Sequence, residues 1–580
     1  MTDTIDRSFD LSQPLDRLGP DERLKHDSNH LRGTIDTGLL DRITGGVRFE
    51  DNKLMKFHGI YQQDDRDIRD ERRRQKLEPA YSFMVRVRLP GGVCTPEQWL
   101  KIEALARRYG GDTLRLTTRQ TFQFHWVLKE DVRPTIQGLH EVLLDTIAAC
   151  GDDSRGVMST ANPDDSALHA EVAELAKSLS DHVIPKTGAY HEIWYGKERV
   201  ATSEVEEPFY GRTYLPRKFK IGFVIPPSND IDVYTQDLGL IVVAGLDGIE
   251  GFNLAVGGGM GRSDQDSATY ARLADVIGYI PKDRLVAATD AVMSVQRDYG
   301  NRADRSRARF KYTIDDKGLG LIKAEIERRM GAPLEPARPF EFTSNGDVVG
   351  WRENKDGSFN LTLQILSGRI ANRPGRSLMD GLREIAKLHL GTFRLTPNQN
   401  LVIADIPAEE RLWVEAILVE HGLVEPATSA LRRNAIACVA LPTCPLAMAE
   451  AERYLPDFTA KVEAILAGHG LTDEPITMRI SGCPNGCSRP YVAEIALTGR
   501  APGKYSLWLG GGFHGERLNS LVLDNAGEAA ILDVLSDTLG RYARERRRGE
   551  HFGDFLHRSG YFAEEERARL GDEMLVGANS

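Results

Sequence analysis

Apolar residues take every second position of Phe83-Met84-Val85-Arg86-Val87-Arg88-Leu89, which predicts a strand with Arg86 and Arg88 at one parity. Gly91-Gly92 predicts a turn. Thr95-Pro96-Glu97 then predicts the start of an amphipathic helix that runs to Tyr109. A Thr side chain can satisfy a free N–H there, and Pro needs no donor in a first turn. A strand region over 114–125 and a helix over 140–149 complete a β-α-β-α unit. The same texture returns later. Residues 393–401 align with 114–122 at an offset of 279, and 361–368 with 375–388 repeat the strand, Gly turn and helix. Solenoid periods are about 20–50 residues. The spacing therefore predicts two homologous halves packed about a pseudo-twofold axis. The first 80 residues are polar, and 64–76 predicts one solvated helix of mixed charge.

Composition narrows the class. The chain has 580 residues, with 74 basic and 85 acidic side chains and a net charge of −11. That balance argues against a general nucleic-acid or acidic-membrane binder, which needs a positive surface. No apolar stretch reaches about 18 residues, so no membrane span is expected. The first residues are acidic where a secretory signal would be basic and then apolar, so a soluble, cytoplasmic protein is expected.

The six cysteines form no disulfide framework. Cys94 and Cys150 stand alone and read as small buried hydrophobes. The other four pair as Cys438–Cys444 (C-x5-C) and Cys483–Cys487 (C-x3-C), with a gap of 38 residues between the pairs. Four thiolates from two short loops suit an iron–sulfur cluster or a structural zinc. Gly482, Pro484 and Gly486 suit a tight loop between strands expected at 476–480 and 491–497, and Pro445 suits the first turn of a helix over 446–455. No His stands at a ligand-like offset, and zinc ribbons favour C-x2-C at both ends, so the pattern favours the cluster.

Basic residues gather in places despite the acidic total. They include Arg86, Arg88, Arg115 and Arg119 on strands, then Arg155, the run Arg217-Lys218-Phe219-Lys220, and six basic residues between Arg297 and Lys311. Any one group reads as a solvated face. Several at alternate strand positions beside Gly turns point to a polyanionic ligand. Two Gly-rich stretches imitate a dinucleotide fingerprint. Residues 256–261 lack its last glycine, and 510–515 match but open no helix, so no nicotinamide or flavin site is expected.

Together these residues resemble the sirohaem sulfite/nitrite reductase family, on the branch of haemoprotein (beta) subunits of assimilatory NADPH-dependent sulfite reductase. The resemblance runs from 26–33 through 61–69 to 553–555. It is most specific at 438–455 with 482–487, at 214–220 and at 115–125. It implies an α+β fold of duplicated sulfite/nitrite reductase repeats, with sirohaem and a 4Fe-4S cluster at the domain junction. The implied plan is an N-terminal extension (1–80), then repeat 1 as a ferredoxin-like half-domain (81–150) and a sirohaem/substrate domain (151–350), then repeat 2 as a ferredoxin-like half-domain (351–425) and a 4Fe-4S/sirohaem domain (426–580). By the same resemblance Cys438, Cys444, Cys483 and Cys487 hold the cluster, and Cys487 also ligates the sirohaem iron. Arg86, Arg155, Lys218 and Lys220 form the sulfite pocket, and Arg115, Arg119 and Gln123 face the macrocycle carboxylates. Ser154 and Gly156 flank Arg155 where the family carries Asn. The implied reaction is six-electron reduction of sulfite to sulfide in sulfur assimilation and cysteine biosynthesis. Electrons would come from a flavoprotein (alpha) subunit with FAD and FMN that oxidises NADPH, in a hetero-oligomer with no nucleic acid and no membrane. The rivals are ferredoxin-dependent sulfite or nitrite reduction and, from another class, a non-catalytic metal-stabilised binding module.

Overall fold

Thr95 opens the helix Pro96–Tyr109 through a capping box. Its hydroxyl accepts from Gln98 N, and the Gln98 amide accepts from Thr95 N. The inner face of this helix buries Trp99, Ile102, Leu105 and Ala106. Trp99 stacks on Phe393 at 4.7 Å and meets Phe122 edge-on at 5.6 Å, so one aromatic side chain ties the two halves together. The computed structural model describes residues 15–161, 166–186, 192–195, 198–202, 207–264, 266–424 and 428–563. It divides into two compact units, Met1–Gly259 with Ala274–Glu425, and Met260–Leu273 with Pro426–Ser580.

The repeat at offset 279 is structural. Region 114–125 is a hairpin of Leu114–Leu116 and Phe122–Val127, and its copy is Thr392–Leu395 with Leu401–Ile406. Both turns place a Gln at positive φ, Gln120 at 53° and Gln399 at 70°. Both are held by a threonine hydroxyl: Thr117 Oγ1 accepts from Arg119 N, and Thr396 Oγ1 accepts from Asn398 N. The halves also exchange strands. Val93–Cys94 pairs with Arg394 and Phe393, while Arg369–Ile370 pairs with Arg115 and Leu114. This reciprocal register is what a pseudo-twofold requires.

Three expected elements differ. The helix lies at Val132–His140, and residues 141–149 are turns and bends, with Asp145 O taking the amide of Arg88. Pro134 falls in the first turn of that helix, where its missing N–H has no intrahelical partner. Region 64–76 is not one helix. Strand Ile60–Asp64 pairs with Tyr81–Arg86, and only Arg69–Arg74 is helical, after Arg69 grips Asp64 at 2.6 and 2.7 Å. Residues 446–454 are turns and bends, and the helix begins at Leu455. Met448 N and Ala449 N both donate to Gly482 O there, which draws the segment onto the cysteine loop instead of into a helix.

A second five-stranded sheet of the first unit runs in order Asp275–Pro281, Gly248–Val256, Leu238–Gly245, Ile221–Val224, Met158–Ser159. The second unit repeats this layout with Ser520–Ala526, Lys504–Leu509, Ile495–Ala501, Met478–Ser481 and Ala435–Ala437. In both, two antiparallel pairs are followed by two parallel pairs. Helices Leu285–Tyr299 and Glu528–Glu545 follow the corresponding last strands. The duplicated α+β architecture therefore extends beyond the ferredoxin-like halves. Segment Met260–Leu273 leaves the first of these sheets and belongs to the second unit, where Met260 packs with Tyr491 and Val492.

Candidate functional site

In the first unit, the loop before strand Met158–Ser159 and the loop before strand Ile221–Val224 zip together. Phe219 N donates to Asp153 O, and Arg155 N donates to Phe219 O, each at 2.9 Å. These bonds bring Arg155 beside Lys218 and Lys220. Strand pairing sets Arg86 opposite Gln123. The Gln123 amide oxygen accepts from Arg86 Nε at 3.2 Å and Nη2 at 2.5 Å. Arg86 Nη1 donates to Cys150 Sγ at 2.7 Å and to Ala149 O at 3.4 Å. Arg155 Nη1 donates to the same Ala149 carbonyl, so the two guanidiniums converge on one residue.

This cradle is short of negative charge. Burial holds the Lys218 ammonium well below its usual range, and Arg217, Lys220, Arg309 and Arg155 lower it further. Among the described residues no carboxylate forms an ion pair with Lys218. Arg217 is pushed down to about 10 by burial and by Arg305. The nearby acids are committed elsewhere. Burial alone would raise the Asp152 carboxyl, but Arg305, Lys25 and Arg217 hold it well below the usual range. Asp237 takes Arg309 Nη2 at 3.0 and 3.1 Å and the Lys220 amide at 3.0 Å. Arg155 Nε is buried with no acceptor. A buried guanidinium nitrogen left open in a cationic cradle fits an anionic ligand.

The residues expected to face a macrocycle divide differently. Arg115 is buried, in register between Gln123 and Arg369. Arg119 donates to Gln236 Oε1 at 2.9 Å and to Gly156 O at 2.7 Å. Gln123 faces Arg86. Cys150 reads as packing in the sequence, whereas its sulfur accepts from Arg86. Its place five residues before Arg155 was the one available signal.

The thiols lie in the second unit, at the far ends of two parallel strands. Cys438 follows Ala435–Ala437, and Cys483 and Cys487 follow Met478–Ser481. Gly482 N donates to Cys438 Sγ at 3.2 Å, and the Asn485 amide reaches Cys483 Sγ at 3.6 Å. A Cβ on Gly482 would meet Ala440 Cβ at 2.6 Å and Ala449 O at 2.7 Å, so only glycine lets these loops close. Burial raises the Cys438 thiol well above its usual value, with further contributions from Cys487, Cys483 and Cys444. Cys483 is pushed up to about 12 by burial, then by Cys487 and Cys444. These mutual effects show four sulfurs converging, and a metal centre must displace their protons to bind. Four thiols gathered on two loops, with Gly482 N on one sulfur and the Asn485 amide on another, suit an inorganic centre held by four thiolates.

The loop 510–515 joins antiparallel strands Lys504–Leu509 and Ser520–Ala526, and no helix opens from it. It is a hairpin connection and not a dinucleotide fingerprint.

Two family models match the chain. The nitrite and sulphite reductase 4Fe-4S domain matches residues 174–334, and the nitrite/sulfite reductase ferredoxin-like half domain matches twice, at 74–142 and 352–421. The chain is 66% identical to the "Sulfite reductase [NADPH] hemoprotein beta-component" of Nitrobacter hamburgensis, over 97% of this chain and 98% of that one. A protein of the same description from Myxococcus xanthus is 54% identical over 93% and 96%. The solved structure of the Mycobacterium tuberculosis NirA protein matches with a TM-score of 0.75 at 25% identity, covering 93% of this chain and 96% of that one. The chain therefore belongs to the nitrite and sulphite reductase family, among the NADPH sulfite reductase haemoprotein beta-components, enzymes with a 4Fe-4S cluster and a sirohaem.

Proposed function

We propose that this chain reduces sulfite to sulfide by six electrons, using electrons that a separate alpha component carrying FAD and FMN takes from NADPH. The proposed setting is cytoplasmic sulfur assimilation toward cysteine. No helix among the described residues is long and apolar enough to cross a membrane. The observation that carries the reading is Lys218, held among Arg155, Arg217, Lys220 and Arg309 with no carboxylate partner among the described residues. Such a group waits for an anion.

Each residue then has a task. Cys438, Cys444, Cys483 and Cys487 would hold the cluster, and Cys487, the exposed one, would also ligate the sirohaem iron. Once bound, these groups would supply the electron chemistry. Arg86, Arg155, Lys218 and Lys220 bind and orient the sulfite oxygens and stabilise the charge that grows as S–O bonds break. The lysines donate protons to the leaving oxygens. The depressed Lys218 is the readier donor, because its environment favours the neutral amine once the anionic charge has gone. Gln123 holds Arg86 in place. Arg115 and Arg119 face macrocycle carboxylates, Arg119 after exchanging its present acceptors.

The test combines iron and acid-labile sulfide analysis, a visible spectrum and turnover. The isolated chain should carry both groups, reduce sulfite with an artificial low-potential donor, and leave NADPH untouched until the alpha component is added. NADPH oxidation by the single chain would overturn the division of labour.

A further inference from the structure

Met260–Leu273 crosses from the chain of the first unit into the fold of the second, and its contacts there are specific. Met260, with Ala271 and Leu273, packs on Tyr491, Val492, Trp508 and Leu518. Asp264 pairs with Arg500, and Thr269 Oγ1 ties the segment's own turn through Ser263 N at 2.7 Å. The segment thus lies firmly on its sheet. What it lies against is the loop of Cys483 and Cys487. Arg262 N donates to Pro484 O at 3.1 Å, and the Tyr491 hydroxyl donates to the same oxygen at 3.0 Å. Two donors on one carbonyl fix the residue that directly follows Cys483.

The Arg262 side chain adds charge. Its guanidinium lies 4.9 Å from the Trp508 ring centroid and 5.7 Å from that of Tyr491, which holds it by cation–π attraction. Among the described residues no carboxylate pairs with it, since Asp264 goes to Arg500. An uncompensated cation therefore sits one aromatic ring from a cysteine loop. Burial raises the Tyr491 phenol well above its usual value, while Arg262 lowers it and Cys483 raises it further.

We propose that Arg262 is a positioning residue of the cluster's outer shell, which pins the Pro484 carbonyl through its backbone and favours the reduced cluster through its charge. This rests on the reading of Cys438, Cys444, Cys483 and Cys487 as the cluster ligands. Reduction adds an electron to the cluster, and a fixed positive charge nearby makes that step more favourable. The backbone N–H is kept in every variant except proline, so side-chain variants isolate the charge.

The experiment is an EPR-monitored potentiometric titration of the holoprotein. Arg262→Met should make the one-electron reduction of the cluster roughly three- to tenfold less favourable, a downward shift of about 30–60 mV at 59 mV per tenfold. Iron and sulfide content should not change. Arg262→Lys should recover most of the shift, and added salt should narrow the gap between wild type and Arg262→Met. If Arg262→Met fails to assemble, Arg262→Gln supplies the neutral side chain. An unmoved midpoint in a neutral variant with full iron overturns the proposal and leaves the ligand reading intact. A wild-type protein without a reducible cluster overturns both.

Discussion

The two five-stranded sheets share strand order and strand directions, yet they present opposite chemistry from opposite ends. In the first, the cations come from loops that precede Met158–Ser159 and Ile221–Val224. In the second, the thiols come from loops that follow Ala435–Ala437 and Met478–Ser481. Each strand pair is parallel, so equivalent ends lie side by side and two loops distant in sequence meet. The topology therefore supplies two meeting places per copy. Duplication kept the frame, and each copy furnished a different end.

If the thiol end is as assigned, Cys483→Ser should remove nearly all cluster iron and acid-labile sulfide, the largest effect expected. Cys94→Ser should leave both intact. Cys94 lies in the exchanged strand beside Phe393, in the first unit, and burial alone pushes its thiol up. Iron analysis on the two variants decides. Equal losses would mean that the cysteines act through folding and not as ligands.

At the cationic end, Lys220→Asn should lower sulfite reduction by about one to two orders of magnitude, as expected for about 1.5–3 kcal/mol lost from a charge-assisted hydrogen bond. Nitrite, with less charge and fewer oxygens to lose, should suffer less. Steady-state rates at matched haem occupancy test this, and equal losses for both anions would remove Lys220 from the discrimination.

The same end predicts a stability effect of opposite sign. Lys218 has its pKa lowered by folding, so the folded state binds its proton less well than the unfolded chain. Between the lowered value and the ordinary 10.5, stability should rise with pH, and this slope should vanish in Lys218→Met. In cofactor-free protein at neutral pH, Lys218→Met should be more stable than wild type by about 1 kcal/mol. Added sulfite should narrow the difference, because it restores the missing negative charge. Thermal melts with and without sulfite measure it, and a destabilised Lys218→Met would mean that the cradle is already neutralised.

Much of this was legible in the sequence because it is local. A hairpin with a threonine, a turn Gln and alternating apolar residues keeps its pattern at offset 279, so the ferredoxin-like repeat could be read directly. The spacing of the four cysteines was equally plain. The second duplication was legible only through the family resemblance, since the paired sheets share topology without a common residue pattern. Nor was the path of Met260–Leu273 into the other unit, which depends on a small apolar cluster gathered from 260 to 518. The helix over 446–455 failed for a related reason. Its amides are claimed by Gly482 O, a partner more than thirty residues away. Local propensity loses where long-range hydrogen bonds offer the backbone another solution.

The smallest expected effect concerns the repeat itself. Gln120 and Gln399 are equivalent by register and both adopt positive φ. Gln120 is fully engaged: its amide donates to Ser159 O at 2.8 Å and Leu395 O at 2.9 Å, and its oxygen accepts from Ser159 N at 2.9 Å. It thus joins its hairpin to the strand Met158–Ser159 and to the other half. The Gln399 Oε1 is buried without a partner. Truncating Gln120 leaves three buried backbone groups short of a bond, a cost of about 1–3 kcal/mol. Truncating Gln399 also removes an unsatisfied oxygen, which offsets part of its loss. Gln120→Ala should therefore destabilise the chain more than Gln399→Ala in denaturant unfolding. Equal losses would mean that the symmetric turns carry equal loads, and the reverse order that Gln399 carries the larger one.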